Sequence, residues 1–257
     1  MIKKNIEFYD LSGASVFITG GGSGIGAALT EGFLAQSSKV SFVQRSDGNE
    51  FCDRMEKKYQ NRPNYIKCDI SNISKLRQAI NESSEKNGTI SILVNNAADD
   101  IRHSTLEVTE KFWDQSQAIN LKAYFFATQS VIQGMIGIGG GSIINMSSIS
   151  YIMGNAGYPS YVSANSGING LTRALAREFG VHKIRVNTIA PGWVMTEKQE
   201  KLWVTENLLR DHLERQCIKE TLAPQDLVDS VLFFASSASQ KITGQLLAVD
   251  CGVVTTG

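Results

Sequence analysis

The sequence predicts an α/β fold: a single domain built on a doubly wound parallel sheet of about seven strands. Short β-branched runs alternate with helix-like segments along the chain, which is the pattern of βαβ units. Runs such as Val16-Phe17-Ile18 are apolar at every position, as expected of strands covered by helices on both faces. Because 257 residues contain no proline-rich linker, we expect one domain over residues 1–257.

The predicted elements follow one another at regular intervals. Strands are expected at residues 15–19, 39–43, 65–68, 92–95, 142–146, 185–189 and 246–249. Helical spacing is found at Leu171, Leu175 and Phe179, which lie four residues apart, and again over residues 227–235. Approximately residues 196–220 form a longer and more charged stretch, which predicts a helical insertion. Doubly wound folds bind ligands at the carboxyl edge of the sheet, so this insertion is expected to form a substrate lid there.

Composition and charge exclude several classes of partner. Lysine and arginine total 25, as do aspartate and glutamate, and this balance gives no reason to expect nucleic acid or a membrane surface. The four cysteines lack metal-ligand spacing, so no metal is predicted. Nothing in residues 1–10 resembles a signal peptide, and glycines interrupt the longest apolar stretch, residues 131–146. A cytoplasmic protein is therefore expected.

A glycine-rich turn directly follows the first predicted strand. Residues 19–26 read Thr-Gly-Gly-Gly-Ser-Gly-Ile-Gly and lead into a helical segment. Glycines let the backbone approach a pyrophosphate closely, and free N–H groups at a helix start attract anions. The turn therefore predicts a nicotinamide-dinucleotide site with contacts from Gly20, Ser23, Gly24, Ile25 and Gly26.

The end of the second predicted strand bears on the choice between NAD and NADP. About 20 residues past the glycine turn, such folds place an acid on the adenine ribose or a cation on a 2′-phosphate. If the strand stops at Val43, Gln44 takes the acid position and Arg45 faces the phosphate, which favours NADP. If the strand runs further, Asp47 could serve the ribose of NAD. The first interpretation is preferred, and an Arg45 that only faces solvent is the alternative to both.

Further motifs follow the glycine turn in a fixed order. They are Asp69-Ile70, Asn95-Asn96-Ala97-Ala98, Asn120, Ser147-Ser148, Tyr161, and Pro191-Gly192 with Val194 and Thr196. Together they resemble the motifs of the short-chain dehydrogenase/reductase family over essentially the whole chain. The resemblance implies a Rossmann-type fold and an NAD(P)-dependent oxidoreductase. It also implies that residues 69–70, 96–97, 191–192, 194 and 196 contact the dinucleotide.

The resemblance also implies catalytic roles. Removing a hydride from a carbinol requires a general base for the hydroxyl proton and a donor that holds the developing alkoxide. In the family a tyrosine, here Tyr161, is the base, and a serine, here Ser148, holds the substrate oxygen, with an asparagine, here Asn120, completing the set. A lysine four residues after the tyrosine lowers its pKa and bonds the nicotinamide ribose.

The sequence departs from the family pattern at that lysine. Asn165 stands four residues after Tyr161, and the helix offers no nearby replacement cation before Arg173. An asparagine amide can bond a ribose hydroxyl but brings no charge. Without the positive charge of the family's lysine, we expect the pKa of the tyrosine to be higher by up to about 2–3 units. We therefore expect weak activity at neutral pH that rises in alkali.

Among family members the chain looks most like the sugar (aldose) 1-dehydrogenases, which oxidise the anomeric hydroxyl to a lactone. The resemblance rests on residues 96–103 and 191–199, followed by Leu202-Trp203. Polar side chains suit a polyol because each desolvated hydroxyl needs a hydrogen bond. Candidate substrate contacts are Asn155, Tyr158 and Trp193, although Tyr158 could simply cap a helix and Trp193 could be lid packing.

Two other functions stay open at this stage. One is a carbonyl or 3-oxoacyl reductase, which would act on another carbonyl or secondary alcohol. The other is a dinucleotide-binding protein with impaired catalysis, suggested by Asn165 alone. The resemblance further implies two long helices, here at about residues 110–136 and 161–180, and a homotetramer formed through these helices and the last strand.

Overall fold

In a computed structural model that describes residues 6–255, the protein is built on a sheet of seven parallel strands. The strands are β1 (Ser15–Thr19), β2 (Lys39–Gln44), β3 (Asn64–Lys67), β4 (Ile92–Asn95), β5 (Gly141–Met146), β6 (Ile184–Pro191) and β7 (Leu246–Val249). Their order across the sheet is β3-β2-β1-β4-β5-β6-β7. Strand order reverses between β1 and β4, which makes the crevice at their carboxyl ends the expected ligand site. The predicted α/β, Rossmann-type fold is confirmed.

All seven predicted strands are present; β1, β4 and β7 have the predicted bounds, and the ends of the other four are displaced by one or two residues. The displacement at β2 matters, because this strand includes Gln44 and is therefore one residue longer than predicted. Gln44 pairs with Lys67 of β3 in the parallel ladder, and this pairing extends the strand. The loop that follows β2 thus begins at Arg45.

Helices cover both faces of the sheet. On one face lie α1 (Gly24–Ala35), α2 (Asn49–Tyr59) and α9 (Val228–Ala235); on the other lie α3 (Ile73–Asn87), α5 (Ala123–Gly137) and α6 (Pro159–Phe179). Each layer buries its own apolar cluster against the sheet, with Phe33 and Phe42 in the first and Phe17 and Leu76 in the second. Burial of this apolar surface is the main force that holds such layers together.

The long helix predicted over residues 110–136 is interrupted. It consists of α4 (Glu110–Gln117), a π-helical turn (Ala118–Lys122) and α5. Such turns are rare and are frequently found at functional sites. Asn120, one of the predicted catalytic residues, lies in this turn and is 1% exposed.

A chain of buried polar side chains crosses from the sheet into α6. Asn95 Nδ2 donates to Asn145 Oδ1 at 2.9 Å, and Asn145 Nδ2 donates to Thr172 Oγ1 at 2.9 Å. The hydroxyls of Thr172 and Thr188 are 2.8 Å apart. The chain therefore joins β4, β5, β6 and α6 by specific contacts as well as by apolar packing.

The insertion predicted at residues 196–220 contains two short helices, α7 (Glu197–Leu202) and α8 (Glu206–Arg215). Thr196 and Thr205 cap them, each side-chain oxygen accepting a backbone N–H three residues on. Among residues 6–255, no helix has the length and apolarity needed to cross a membrane.

Candidate active site

A cavity of about 1020 Å³ opens at the carboxyl edge of the sheet, beside the point where strand order reverses. Most of the predicted site residues line it: Gly20, Ser23, Gly24, Ile25, Gly26, Arg45, Asp69, Ile70, Asn96, Ala97, Ser148, Asn155, Tyr158, Tyr161, Pro191, Gly192, Trp193, Val194 and Thr196. Asn120 and Asn165 are not among the lining residues, and each lies buried behind the wall.

The glycine-rich turn has the shape that a pyrophosphate requires. Gly20 and Gly24 adopt φ of +70° and +50°, a region that L side chains rarely adopt. A Cβ at Gly26 would overlap the carbonyl oxygen of Gly20, so only glycine fits there. Asn96 braces the turn, its Nδ2 donating to the carbonyls of Thr19 and Gly20 at 3.0 and 3.1 Å. The turn and the cavity therefore fit a dinucleotide, which would accept or return a hydride when bound.

The loop after β2 presents a cation to the cavity. Arg45 is exposed and lines the cavity, whereas Asp47 does not line it. Asp47 instead accepts from the backbone and side chain of Asn49 at 3.1 and 2.8 Å, at the start of α2. Because Gln44 is the last residue of β2, the strand runs further than the NADP interpretation assumed, but it is still Arg45 and not Asp47 that lines the cavity. Gln44 Nε2 donates to the carbonyls of Ser46 and Asp47.

Tyr161 and Ser148 lie together on the cavity wall. Pro159 begins α6, where its fixed φ suits the first helical turn, and this places Tyr161 at the mouth of the helix. The pKa of Tyr161 is raised to about 12, chiefly by burial and also by the negative charge of Asp100, while a hydrogen bond with Ser148 opposes the rise. The phenol is therefore protonated at neutral pH.

Asn165 lies one helical turn beyond Tyr161 and is 2% exposed. Its side-chain Nδ2 donates to the backbone carbonyl of Tyr161 at 2.9 Å, and its backbone carbonyl accepts from Ser147 Oγ and Asn169 Nδ2. The side-chain amide opposes the rise in the Tyr161 pKa through a hydrogen bond, but it brings no positive charge to the tyrosine.

The Asn120 side chain forms hydrogen bonds with the loop that follows β4. Its Oδ1 accepts from the backbone N–H of Asp99 at 2.7 Å, and its Nδ2 donates to the Asp99 carbonyl at 3.0 Å. Both backbone groups of Asp99 are thereby fixed by one side chain in the π-helical turn. The loop that follows β4, which carries Asp100 and Arg102, is held in position by this pair of bonds.

The three predicted substrate contacts, Asn155, Tyr158 and Trp193, all line the cavity. The ring of Tyr158 stacks on that of Tyr161, with centroids 5.4 Å apart and planes 10° apart. Asn155 Nδ2 donates to the Tyr158 hydroxyl at 3.3 Å, and Trp193 Nε1 donates to Gln199 Oε1 at 2.9 Å. All three line the same cavity as Ser148 and Tyr161.

A clasp between the β4 loop and α7, formed by Asp100, Lys198 and Gln199, was not predicted as a set of contacts. Lys198 Nζ lies 2.6 Å from Asp100 Oδ1, and Gln199 Nε2 donates to Asp100 Oδ2 at 2.6 Å. Although burial raises the pKa of Asp100, these partners hold it below its usual value. About one hundred residues separate the partners, so no local pattern could have revealed the clasp.

Arg102 was also missed as part of the site. Its guanidinium carbon lies 3.6 Å from the centroid of the Tyr158 ring and 5.4 Å from that of Trp203. Tyr158 lies in turn against Tyr161, so a cation, two tyrosines and a lid tryptophan form one group on the cavity wall. Cationic groups commonly stack on aromatic faces in this way.

Comparisons with known proteins agree with this geometry. A family model described as enoyl-(acyl carrier protein) reductase, of the short-chain alcohol dehydrogenase type, matches residues 20–254. The chain is 42% identical over 249 residues to a probable galactose dehydrogenase of Rhizobium meliloti, covering 96% of this chain and 97% of that protein. It is 40% identical over 245 residues to a D-xylose 1-dehydrogenase of Caulobacter vibrioides, with 94% and 96% covered.

A solved structure of a blue fluorescent protein from a metagenomic library, in complex with NADPH, has the same fold. The TM-score is 0.87 at 29% identity, with 95% of this chain and 99% of that chain covered.

The sheet, the glycine turn and the serine–tyrosine pair define an oxidoreductase that uses a nicotinamide dinucleotide. The match over residues 20–254 and the two relatives then show the family of this oxidoreductase. The chain belongs to the short-chain dehydrogenase/reductase family. The predicted family membership and enzyme class are confirmed.

Proposed function

We propose that the protein oxidises the C1 hydroxyl of an aldose to the lactone, with NADP as the preferred cofactor. The observation that carries this proposal is the polar wall around the serine–tyrosine pair: Asn155, Tyr158, Asp100, Lys198 and Gln199 supply donors and acceptors within one cavity. A sugar requires a partner for each hydroxyl that it removes from water. The two relatives above, named for galactose and D-xylose, support the same substrate class.

In this proposal the chain's own residues bind and orient the sugar and move one proton. The Ser148 hydroxyl holds the C1 oxygen, and the Tyr161 phenolate takes the hydroxyl proton onto Oη. Asn120 keeps the loop at Asp99 and Asp100 in place. In the same proposal, α7 and α8 form a lid over the substrate. Thr196, at the start of α7, lies beside Gly24 of the glycine turn.

The preference for NADP rests on the loop after β2. Arg45 lines the cavity without a carboxylate partner among residues 6–255, and Asp47 is turned toward α2. A guanidinium is well suited to a 2′-phosphate because its fork of donors matches phosphate oxygens. The NADPH complex of the structural relative supports a cofactor of this type.

The proposed activity is weak at neutral pH. Tyr161 must lose its proton to act as a base, and a pKa of about 12 leaves only about one molecule in 100,000 ionised at pH 7. Asn165 supplies no charge that would lower this pKa. Alkaline conditions would therefore be needed for rapid turnover.

The deciding experiment is a panel of aldoses assayed with each dinucleotide across the range from neutral to alkaline pH. Oxidation of D-galactose or D-xylose at high pH, faster with NADP than with NAD, supports the proposal. Turnover that is confined to ketones or acyl thioesters in the reductive direction would instead favour the carbonyl or 3-oxoacyl reductase, a function consistent with the description of the family model.

A protein that binds the dinucleotide with impaired catalysis is the third candidate, and the buried, uncharged Asn165 favours it. Tight dinucleotide binding without turnover of any sugar, alcohol or carbonyl at any pH would support this function. A homotetramer and a cytoplasmic location stay predictions, which sedimentation and cell fractionation would test.

A further inference from the structure

We infer that Arg102, which stacks on Tyr158 and Trp203, recognises a carboxylate on the substrate, so that sugar acids are preferred over neutral aldoses. The inference rests on the proposed function, whose substrate class it narrows. It depends on a guanidinium that lines the cavity and whose N–H groups have no acceptor among residues 6–255.

The flat guanidinium of Arg102 packs against aromatic rings, and its N–H groups make no hydrogen bond to other residues in the range 6–255. The rings of Tyr158 and Trp203 lie 3.6 and 5.4 Å from its central carbon. Within residues 6–255, no carboxylate lies within 4.0 Å of its nitrogens and no acceptor receives a hydrogen bond from them. The side chain is half-buried, so its N–H donors have lost part of their water without gaining protein partners.

Trp203 supplies the second aromatic surface beside the guanidinium, and its own indole nitrogen is buried away from the cavity. A guanidinium can only donate, so it requires a group rich in acceptors. A carboxylate offers acceptors alone and matches the guanidinium fork with two oxygens, whereas a hydroxyl also brings a donor that would find no acceptor here.

The nearby carboxylates leave the charge of Arg102 available. Asp100 is bonded by Lys198 and Gln199, both at 2.6 Å, and Asp99 lies 3.9 Å from the same lysine. Lys198 therefore serves the two acids of the loop, and the charge of Arg102 is not consumed by an ion pair. An incoming anion meets a cation without a counter-ion.

The position of the group suits recognition at the far end of a sugar. Because Tyr158 lies between them, the Arg102 guanidinium is at most the sum of the two stacking distances, about 9 Å, from the centre of the Tyr161 ring. A pyranose with its C1 oxygen at Tyr161 could present a carboxylate from the opposite side of its ring to this point.

The first test compares matched sugars that differ only in the carboxylate: D-galacturonate with D-galactose, and D-glucuronate with D-glucose. We expect kcat/KM to favour the acids by about 10- to 100-fold, the range for a charged bidentate hydrogen bond. Arg102→Met should abolish that ratio, Arg102→Lys should restore part of it, and Trp203→Ala, which removes one of the two stacking rings, should lower it. A ratio between two sugars is insensitive to general damage to the site.

Arg215→Met is the matched control, because Arg215 is another cation on the cavity wall, contributed by α8. It should leave the acid-to-neutral ratio unchanged. An equal loss of the ratio in this variant, or a wild-type ratio near one, would overturn the assignment to Arg102.

A binding measurement separates this inference from the proposed oxidation. Calorimetric titration with D-galacturonate should show saturable binding that Arg102→Met abolishes, even if no sugar is oxidised. That result would sustain the carboxylate site while the proposed function fails. Oxidation of neutral aldoses without binding or oxidation of the acids would leave the function standing and overturn the inference.

Discussion

Replacing Asn165 by lysine should convert a slow enzyme into a fast one at neutral pH. Asn165 lies one helical turn from Tyr161, whose pKa is about 12. A unit charge about 4–5 Å from the phenol, at an effective dielectric of about 20, contributes roughly 3–4 kcal/mol. That energy lowers the pKa by about 2–3 units and raises the phenolate fraction at pH 7 by about 100- to 1000-fold. Initial rates of sugar oxidation, followed by NADPH absorbance, should rise by a similar factor.

The pH profile gives a second measurement of the same effect. Raising the pH increases the phenolate form, so the wild-type rate should grow about tenfold per pH unit from pH 7 to 10. In Asn165→Lys the rise should level off about 2–3 units earlier. Asn165→Met is the matched control, because its side chain has a similar length to lysine but no charge. A gain equal to that of lysine, or a flat wild-type profile, would refute the electrostatic argument.

Three further changes test other parts of the site. Arg45→Ala should weaken NADP binding by about tenfold or more and leave NAD binding unchanged, as measured by fluorescence titration of each dinucleotide. Gly26→Ala should abolish binding of both, because its Cβ would overlap the carbonyl oxygen of Gly20; a variant that binds normally would show that the turn tolerates a side chain. Asp100→Asn removes a charge that raises the pKa of Tyr161, so the alkaline rise in rate should move to lower pH, and a shift to higher pH would contradict this assignment.

The sheet could be predicted because its evidence is local. Each strand is a short apolar run, and Val16-Phe17-Ile18 and Ile92-Leu93-Val94 are buried on both faces as predicted. The ends of strands depend on their neighbours, which is why β2 gained Gln44 by pairing with Lys67. The interruption of the helix at Asn120 was missed for a related reason, since its apolar spacing continues through the π-helical turn.

The site was predictable as a set of positions and much less so as a set of contacts. Motif spacing located Ser148, Tyr161 and Asn165, and the structure brings these residues together. The clasp between Asp100 and Lys198 and the stack of Arg102 on Tyr158 join residues far apart in sequence. Side-chain direction in such contacts is set by the packed layers, and composition or periodicity carries no information about it.

The buried chain from Asn95 through Asn145 to Thr172 and Thr188 has a consequence for how the molecule assembles. A slip of β5 by one residue against either neighbour would turn these side chains to the opposite face and leave their amides dry and unbonded. Each such group costs about 1–3 kcal/mol. Apolar strands such as these could otherwise pair in several registers of similar energy. The buried polar chain therefore destabilises the slipped registers and selects one register during folding. The carboxyl edge, where the cavity forms, is thereby assembled with the strand ends at matching heights.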